Sequence, residues 1–383
     1  MKIGIYVGNL DPNLGGESSL TKTILQEIKK NNNDYEFVFL YINESRSIKK
    51  SIIYEYEFIN ISKCCNNKSL LFNGIIDSLG GGSNRFFELD KIAQKENIDM
   101  FYFAAPIFAQ TSLPYIFTVW DLGHRTTLYF PEVSEREWGY REKMYNKMLP
   151  RATFIITANN QGKNDIIKYY NIDENRIKIV PFPITYFCFK NEEKPSFVEE
   201  KDFFFYPAQF WSHKNHIVII EALSILRDKY GLCPMVYFTG SDKGNKDYIQ
   251  SKVDEYGLNN QIKLTGFIKD EELVYLYNHA KALVYASLLG PNNLPPQEAL
   301  YLGCPIILSD IPGHKEQMGD SALYFDGYNP KDLAEKMRVL LQNDNYEKDK
   351  KTNCYEIGDN DYFSKIIVLF DNIKKIIYRW KSV

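Results

Sequence analysis

Between residues 287 and 310 the chain reads SLLGPNNLPPQEALYLGCPIILSD, and this stretch holds the residues best suited to chemistry. It follows a strand-like run, passes through a turn-rich loop, and predicts a helix that opens at Pro295-Pro296 and closes at Gly303. Proline at the start and glycine past the end is the asymmetry of a short helix. Glu298 is then expected in the first turn, where the helix dipole favours a carboxylate and the backbone amides point toward an anion. A helix start that receives an anion, beside a fixed carboxylate, suits a nucleotide diphosphate. The amides would take phosphate, and the carboxylate would accept hydrogen bonds from both ribose hydroxyls. The competing reading is an ordinary strand–loop–helix connection with a capping glutamate.

Ligands of open parallel sheets bind at the carboxyl ends of the strands, so other strand ends are informative. After the first strand comes GNLDPNLGGESSLTKTIL, where Gly15 and Gly16 precede a helical pattern and let backbone amides approach a phosphate. This is not the GxGxxG fingerprint, and a glycine pair before a helix is also an ordinary turn. After Phe203–Pro207 comes AQFWSHKNH, in which Lys214 either supplies positive charge to a diphosphate or is an exposed loop lysine. His213 and His216 flank it without nearby carboxylates or thiols, so no metal site is expected there. In LTGFIKDEELVYLY, Phe267 and Ile268 offer a nucleobase stacking and backbone hydrogen bonds, although ordinary core packing is the first reading for Phe267. The strand Tyr115–Trp120 ends in Asp121, Leu122, Gly123, His124 and Arg125. An acid, an imidazole and a guanidinium at one strand end suggest an acceptor or reaction site, with chance clustering as the alternative. His124 is the titratable candidate because its ordinary pKa lies near neutrality.

The elements that must position these residues are short apolar runs alternating with helical patterns. Expected strands are Ile3–Val7, Glu36–Ile42, Met100–Ala105, Tyr115–Trp120, Phe154–Thr157 and Ile177–Pro181. They continue with Phe203–Pro207, Met235–Gly240, Ile262–Thr265, Ala282–Ala286, Pro305–Ser309 and Leu323–Phe325. Expected helices include Ser19–Lys30, Phe86–Glu96, Asn160–Tyr170, His216–Tyr230, Asp247–Tyr256, Asp270–His279 and Lys331–Gln342. Near-continuous apolar strands separated by helices predict parallel sheets covered on both faces, and 383 residues predict two such domains. The charged, Pro195-interrupted stretch KNEEKPSFVEEKD marks the junction, giving an α/β organisation of residues 1–184, residues 185–361 and a terminal helix within 362–383.

That helix carries one apolar stripe from Phe363 to Trp380 and basic residues Lys374, Lys375, Arg379 and Lys381. Packing back on the first domain, membrane-surface attachment and a partner contact are its three readings, in that order. A net charge of −3 excludes a global basic field for nucleic acid. The six cysteines fit no zinc or disulfide framework and read as thiols in a reducing compartment. MKIGIYVG is a short strand pattern rather than a signal peptide, and no run reaches the roughly 18 apolar residues of a membrane span. A cytoplasmic protein is expected, with peripheral contact on the inner face of the membrane as a second expectation.

Taken together, these segments resemble the group-1 (family 4) retaining glycosyltransferases of the GT-B fold. The resemblance rests on the glycine pair at 15–16, FTVWDLGHRTTLYFPE (117–132), ATFIITANNQGKNDI (152–166), FYPAQFWSHKNH (205–216), FTGSDKGN (238–245), LTGFIKDEELVYLY (264–277) and GPNNLPPQEALYLGCPIILSDIPGHKEQMGDSALYF (290–325). It implies two Rossmann-like domains facing across a cleft, the acceptor on the first and a nucleotide-sugar donor on the second. It further implies that Glu298 holds the donor ribose, Lys214 contacts the diphosphate, and the amides around Asn293 and Leu294 receive phosphate or sugar. The Gly15-Gly16 loop would close over the donor. No cofactor is implied beyond the nucleotide diphosphate sugar as co-substrate, and the acceptor would be a glycan, a lipid-linked sugar or a protein. Two positions depart from the family pattern: Gly290 stands where a glutamate usually touches the donor sugar, and Gln209 where an arginine is usual. Asn292 or Asn293 is expected to replace the lost carboxylate. A sugar-nucleotide epimerase and a non-catalytic nucleotide- or glycan-binding pseudo-glycosyltransferase are the alternative functions.

Overall fold

Strands built from consecutive rather than alternating apolar residues need cover on both faces, which a parallel sheet with helices on each side provides. Met100–Phe103, Tyr115–Thr118, Met235–Thr239, Ala282–Tyr285 and Ile306–Ser309 are buried at every position. The computed structural model describes residues 1–9, 16–30, 35–42, 58–64, 86–135, 137–343 and 362–381. It divides into one unit of Met1–Pro183 with Asp361–Val383 and a second of Ile184–Asn360.

The first unit contains β1 (Lys2–Asn9), β2 (Glu36–Ile42), β3 (Phe58–Asn60), β4 (Met100–Phe103), β5 (Tyr115–Thr118), β6 (Phe154–Thr157) and β7 (Ile177–Ile179). Their order across the sheet is β3-β2-β1-β4-β5-β6-β7, with parallel pairing throughout. The second contains β8 (Phe203–Pro207), β9 (Met235–Thr239), β10 (Ile262–Gly266), β11 (Ala282–Tyr285), β12 (Ile306–Ser309) and β13 (Leu323–Phe325), again all parallel, in the order β10-β9-β8-β11-β12-β13. The second sheet therefore runs 3-2-1-4-5-6, the doubly wound dinucleotide-fold order, and the first runs the same way with β7 added as a seventh strand; they reverse direction between β1 and β4 and between β8 and β11. Loops leaving the carboxyl ends of the strands at a reversal diverge and open a crevice. Lys214 and the 287–298 segment leave such a pair.

Several elements differ from the sequence expectation, among them the edge strand β3 and the short helix His314–Met318, neither of which was expected. Phe86–Glu96 is not one helix: Phe87–Glu88 pairs with Ala109–Gln110 as a small separate ribbon, and the helix begins at Asp90. Trp138–Met148 is a helix that the strand–helix rhythm did not reveal, because its charged residues Arg141 and Glu142 face other protein groups instead of water.

The terminal helix Tyr362–Lys381 buries Tyr362, Phe363, Ile366, Leu369, Phe370 and Ile373 within the first unit. The Phe370 ring lies 5.7 Å from Tyr35 and 5.9 Å from Tyr102, and the Tyr102 hydroxyl meets that of Tyr362 at 2.5 Å. Such edge-on aromatic packing adds to plain area burial. Phe370→Ala should therefore cost about 3–5 kcal/mol, and urea unfolding should show the loss in the transition of the first unit alone.

Candidate functional site

At the reversal in the second sheet, β8 runs out at Pro207 and the chain turns through Ser212–Lys214 into the helix His216–Tyr230. The Tyr206 hydroxyl donates to the Lys214 carbonyl at 2.8 Å and pins that turn. Across the reversal, at the end of β11, Lys214 Nζ donates to the Tyr285 hydroxyl at 3.0 Å and to Ser287 Oγ at 3.4 Å. Lys214 is thus not a loop lysine in water: its cation is held over the crevice by two buried side chains. His216 is a core residue, enclosed by the Phe210, Tyr206 and Phe238 rings, and its pKa is pushed down to about 3 by burial and then by the Lys214 charge.

Beyond Ser287 the loop is locked at Asn293. Asn293 Oδ1 accepts from the Tyr285 hydroxyl at 2.8 Å, while Nδ2 donates to the Gly290 carbonyl and to His314 Nε2, each at 2.9 Å. The Asn293 backbone is clamped as well, its N–H donating to Gln317 Oε1 at 3.2 Å and its carbonyl accepting from Gln317 Nε2 at 2.6 Å. This corrects one expectation: the Asn293 amide is engaged by Gln317 rather than held ready for an anion. Pro295 and Pro296 carry no N–H, so of the first turn the helix start offers the Leu294 amide. Gly290 has φ 108, and a Cβ there would lie 2.9 Å from the Asn293 amide. The usual glutamate would be strained here by the backbone conformation, and the Asn293 amide would have to move to admit it. Asn293 has no amide atom left for a sugar. Asn292 does, since its Nδ2 is buried without a protein partner, as are Gln209 Nε2 and Gln297 Oε1.

Leu294 opens the helix, one residue earlier than the proline pair suggests, so Glu298 falls in the second turn. Its carboxylate is 5% exposed and takes hydrogen bonds from Thr185 Oγ1 at 2.5 Å and the Tyr277 hydroxyl at 2.7 Å. Burial pushes its pKa up to about 7 against the pull of those two hydroxyls. Ile268 is half-buried against the core of this unit. Phe267 is 57% exposed, which overturns the core reading and leaves its ring face open to a planar ligand. Gln209 Oε1 accepts from the Trp211 indole at 3.1 Å.

In the first unit, Gly15 lies outside the described residues and Gly16 opens the helix Gly16–Lys30. Asp121 and His124 share the loop after β5, each with a partner on the helix Trp138–Met148 that sequence reading missed. Asp121 Oδ1 accepts from the Gly123 N–H at 2.8 Å and from Arg141 at 2.7 Å. Burial pushes this carboxyl up, but the Arg141 charge and the Gly123 N–H outweigh it and hold the pKa below the ordinary value. His124 is 0% exposed, stacks on Tyr145 at 5.6 Å, and places Nε2 2.9 Å from Glu142 Oε1. Burial, followed by the Arg141 charge, keeps the ring neutral by lowering its pKa. Glu142 also takes Arg125 Nε at 2.7 Å and the Tyr170 hydroxyl at 2.8 Å. His124 as placed reaches no surface, and the group that does is Arg125, lying over the Trp138 ring at 5.7 Å. The missed signal was the i, i+4 spacing of Tyr140, Met144 and Met148, a helical stripe beneath the charges.

Residues 189–357 match the profile of the family described as Glycosyl transferases group 1. The O-antigen chain mannosyltransferase RfbU of Salmonella typhimurium is 26% identical over 263 residues, 66% of this chain and 65% of that protein. The serotype-specific mannosyltransferase WbdA of Escherichia coli is 25% identical over 230 residues, 56% of this chain and 28% of its own length. The matched regions thus span less than two thirds of these relatives. Among solved structures, sucrose-phosphate synthase from Thermosynechococcus elongatus superposes with TM-score 0.72 at 13% identity over 99% of both chains. Anabaena HepE, in complex with UDP and glucose, superposes with TM-score 0.67 at 14% identity over 97% of this chain and 99% of that one.

The raised Glu298 pKa makes stability depend on pH with a defined sign. Between its ordinary value of 4.5 and its folded value of about 7, the folded chain holds a proton that the unfolded chain has lost. Stability therefore falls as pH rises through that window and levels off above it. Urea unfolding at a series of pH values should show the wild type losing stability relative to Glu298→Gln across the window, with a constant gap above it. Parallel profiles for the two proteins would contradict the assignment.

Proposed function

From the premise that residues 189–357 belong to the glycosyl transferases group 1 family and the chain has the GT-B fold, we propose that this protein transfers a sugar from a nucleotide diphosphate sugar to an acceptor hydroxyl during assembly of a bacterial surface polysaccharide. The observation that carries the reading is that the strand reversal of the second unit holds a fixed Lys214 ammonium, the start of the helix Leu294–Leu302 and the buried Glu298 carboxylate. In its single step the bond from the anomeric carbon to the diphosphate oxygen breaks, and negative charge develops on the departing diphosphate. Lys214 and the Leu294 amide meet that charge from fixed positions, the kind of electrostatic stabilisation that lowers a barrier most effectively. The acceptor hydroxyl attacks the oxocarbenium-like sugar on the face the diphosphate leaves, its proton passes to the leaving phosphate oxygen, and the anomeric configuration is retained. No residue is needed as a nucleophile, unlike the paired carboxylates of retaining glycosidases, and the charge is met without a metal.

Glu298 takes the ribose hydroxyls by giving up its Thr185 and Tyr277 bonds, Phe267 and Ile268 receive the base, and Asn292 contacts the sugar. The O-antigen relatives make a mannosyl donor the first to test, and the UDP-bound neighbour makes uridine donors the second. Asp121 and His124 act by holding the loop that presents Arg125 to the acceptor, for which a glycan is the first choice and a lipid-linked sugar the second. The epimerase and non-catalytic readings are not favoured. With a panel of GDP- and UDP-sugars and EDTA present, Lys214→Ala and Glu298→Ala should each lose transfer at least about a hundredfold while staying folded. Asn292→Ala should raise the donor KM about tenfold and leave the affinity for the free nucleoside diphosphate unchanged. Full turnover in a Lys214 or Glu298 variant would remove that residue's role.

The outer face of the terminal helix supports peripheral membrane contact. Lys365, Val368, Lys375, Ile376 and Arg379 are exposed at i, i+3 and i+4 spacings opposite its buried stripe. Cations interspersed with aliphatic side chains suit an anionic bilayer surface. Co-sedimentation with phosphatidylglycerol vesicles, but not phosphatidylcholine vesicles, is expected, and Lys365→Glu/Lys375→Glu/Arg379→Glu should abolish it. Equal pelleting of the wild type and this variant would contradict the assignment.

A further inference from the structure

A chain of hydrogen bonds runs from the backbone of β12 to the ammonium of Lys214, and the direction of every bond in it is dictated. His314 Nδ1 lies 2.7 Å from the Ser309 carbonyl. A carbonyl only accepts, so Nδ1 carries the proton and Nε2 of the neutral ring must accept. Asn293 supplies that donor through Nδ2 at 2.9 Å, and the second Nδ2 proton goes to the Gly290 carbonyl. With the amide oriented from two sides, Oδ1 faces Tyr285 and takes its one hydroxyl proton at 2.8 Å. The Tyr285 oxygen is left as an acceptor, and Lys214 Nζ donates to it at 3.0 Å.

The packing is built to allow this. A Cβ on Gly313 would fall 2.2 Å from the Pro291 carbonyl. Only glycine therefore permits the approach that brings His314 against the 290–293 loop, and its φ of 96 suits glycine as well. His314 and Ser309 are 0% exposed, so no water competes for these bonds. Burial pushes the His314 pKa down to about 4, which keeps the ring in the form the chain requires.

We infer that His314 is a positioning residue for Lys214, acting through Asn293 and Tyr285 to fix the polarity of the hydroxyl that orients the ammonium over the diphosphate. This rests on the proposed role of Lys214 as the diphosphate contact. His314 touches no ligand in this account. With the ring replaced by an apolar one, Asn293 loses a partner that sets its amide and can present Nδ2 instead of Oδ1 to Tyr285, so that the Tyr285 oxygen accepts from Asn293 in competition with Lys214 and no longer fixes the ammonium.

The test is the ratio of nucleoside diphosphate to nucleoside monophosphate affinity, measured by calorimetry with GDP against GMP and UDP against UMP. Lys214→Ala should lower that ratio most. His314→Phe and Tyr285→Phe should each lower it about five- to tenfold with monophosphate affinity unchanged. The double variant should be no worse than the weaker single, because both break the same chain. His314→Gln, whose amide oxygen can still accept from Asn293, should keep most of the wild-type ratio; it and Tyr285→Phe carry the test if His314→Phe does not fold. A wild-type ratio in Tyr285→Phe and the His314 variants, with the ratio lowered in Lys214→Ala, would overturn the inference alone. Equal losses for diphosphate and monophosphate in the His314 variants would mark a packing role and overturn it too. An unchanged ratio in Lys214→Ala would instead remove the diphosphate role of Lys214, and the inference with it.

Discussion

The bond between the Lys214 ammonium and the Tyr285 hydroxyl is the constraint on which the site depends. It joins the loop leaving β8 to the end of β11, the two strands between which the sheet reverses. Tyr285 is 2% exposed, so its oxygen cannot turn to water and must be satisfied by protein groups. A buried polar group left unpaired costs on the order of 1–3 kcal/mol, and that penalty makes the arrangement definite. Each neighbour of Tyr285 is in turn committed to another group, out to the backbone of β12. The cation is therefore in place before any anion arrives, and binding need not spend free energy ordering a long flexible side chain.

The same economy explains the two departures from the family pattern. Gly290 does not simply delete a carboxylate. Its positive φ and the Asn293 amide packed against it form one substitution in two parts, with a neutral, fully bonded asparagine filling the place. Asn292, with an amide nitrogen left unpaired, is the group of the two that a sugar hydroxyl can satisfy. Gln209 keeps an amide nitrogen in the same condition while its oxygen is tied to Trp211. The crevice thus carries neutral amide donors where an arginine and a glutamate are usual.

Much of the fold was legible in the sequence. Apolar runs such as Phe203–Pro207 and Phe154–Thr157 fall on observed strands, because a strand buried on both faces has few other readings. Lys214 and Glu298 were legible as residues placed just after strands. Their partners were not. Tyr285 sits within an apolar run and reads as core, and nothing local shows that its hydroxyl emerges at a strand end opposite a lysine 71 positions earlier. Thr185 and Tyr277, which hold Glu298, are separated from it by 113 and 21 positions. Arg141 and Glu142 were not singled out in the sequence, and their burial against Asp121 and His124 follows only from the packing of their helix on the loop after β5. Phe267 was misjudged for a related reason: an aromatic residue after a strand is usually core, and here the turn at Gly266 throws it outward.

The most direct measurement of the central claim is a crystal structure of the protein with GDP or UDP bound. The account predicts the diphosphate at the end of β8 and β11, an oxygen within about 3 Å of Lys214 Nζ, and the ribose hydroxyls on Glu298. A nucleotide bound elsewhere, with Lys214 still engaged by Tyr285 and Ser287 and Glu298 by Thr185 and Tyr277, would contradict it.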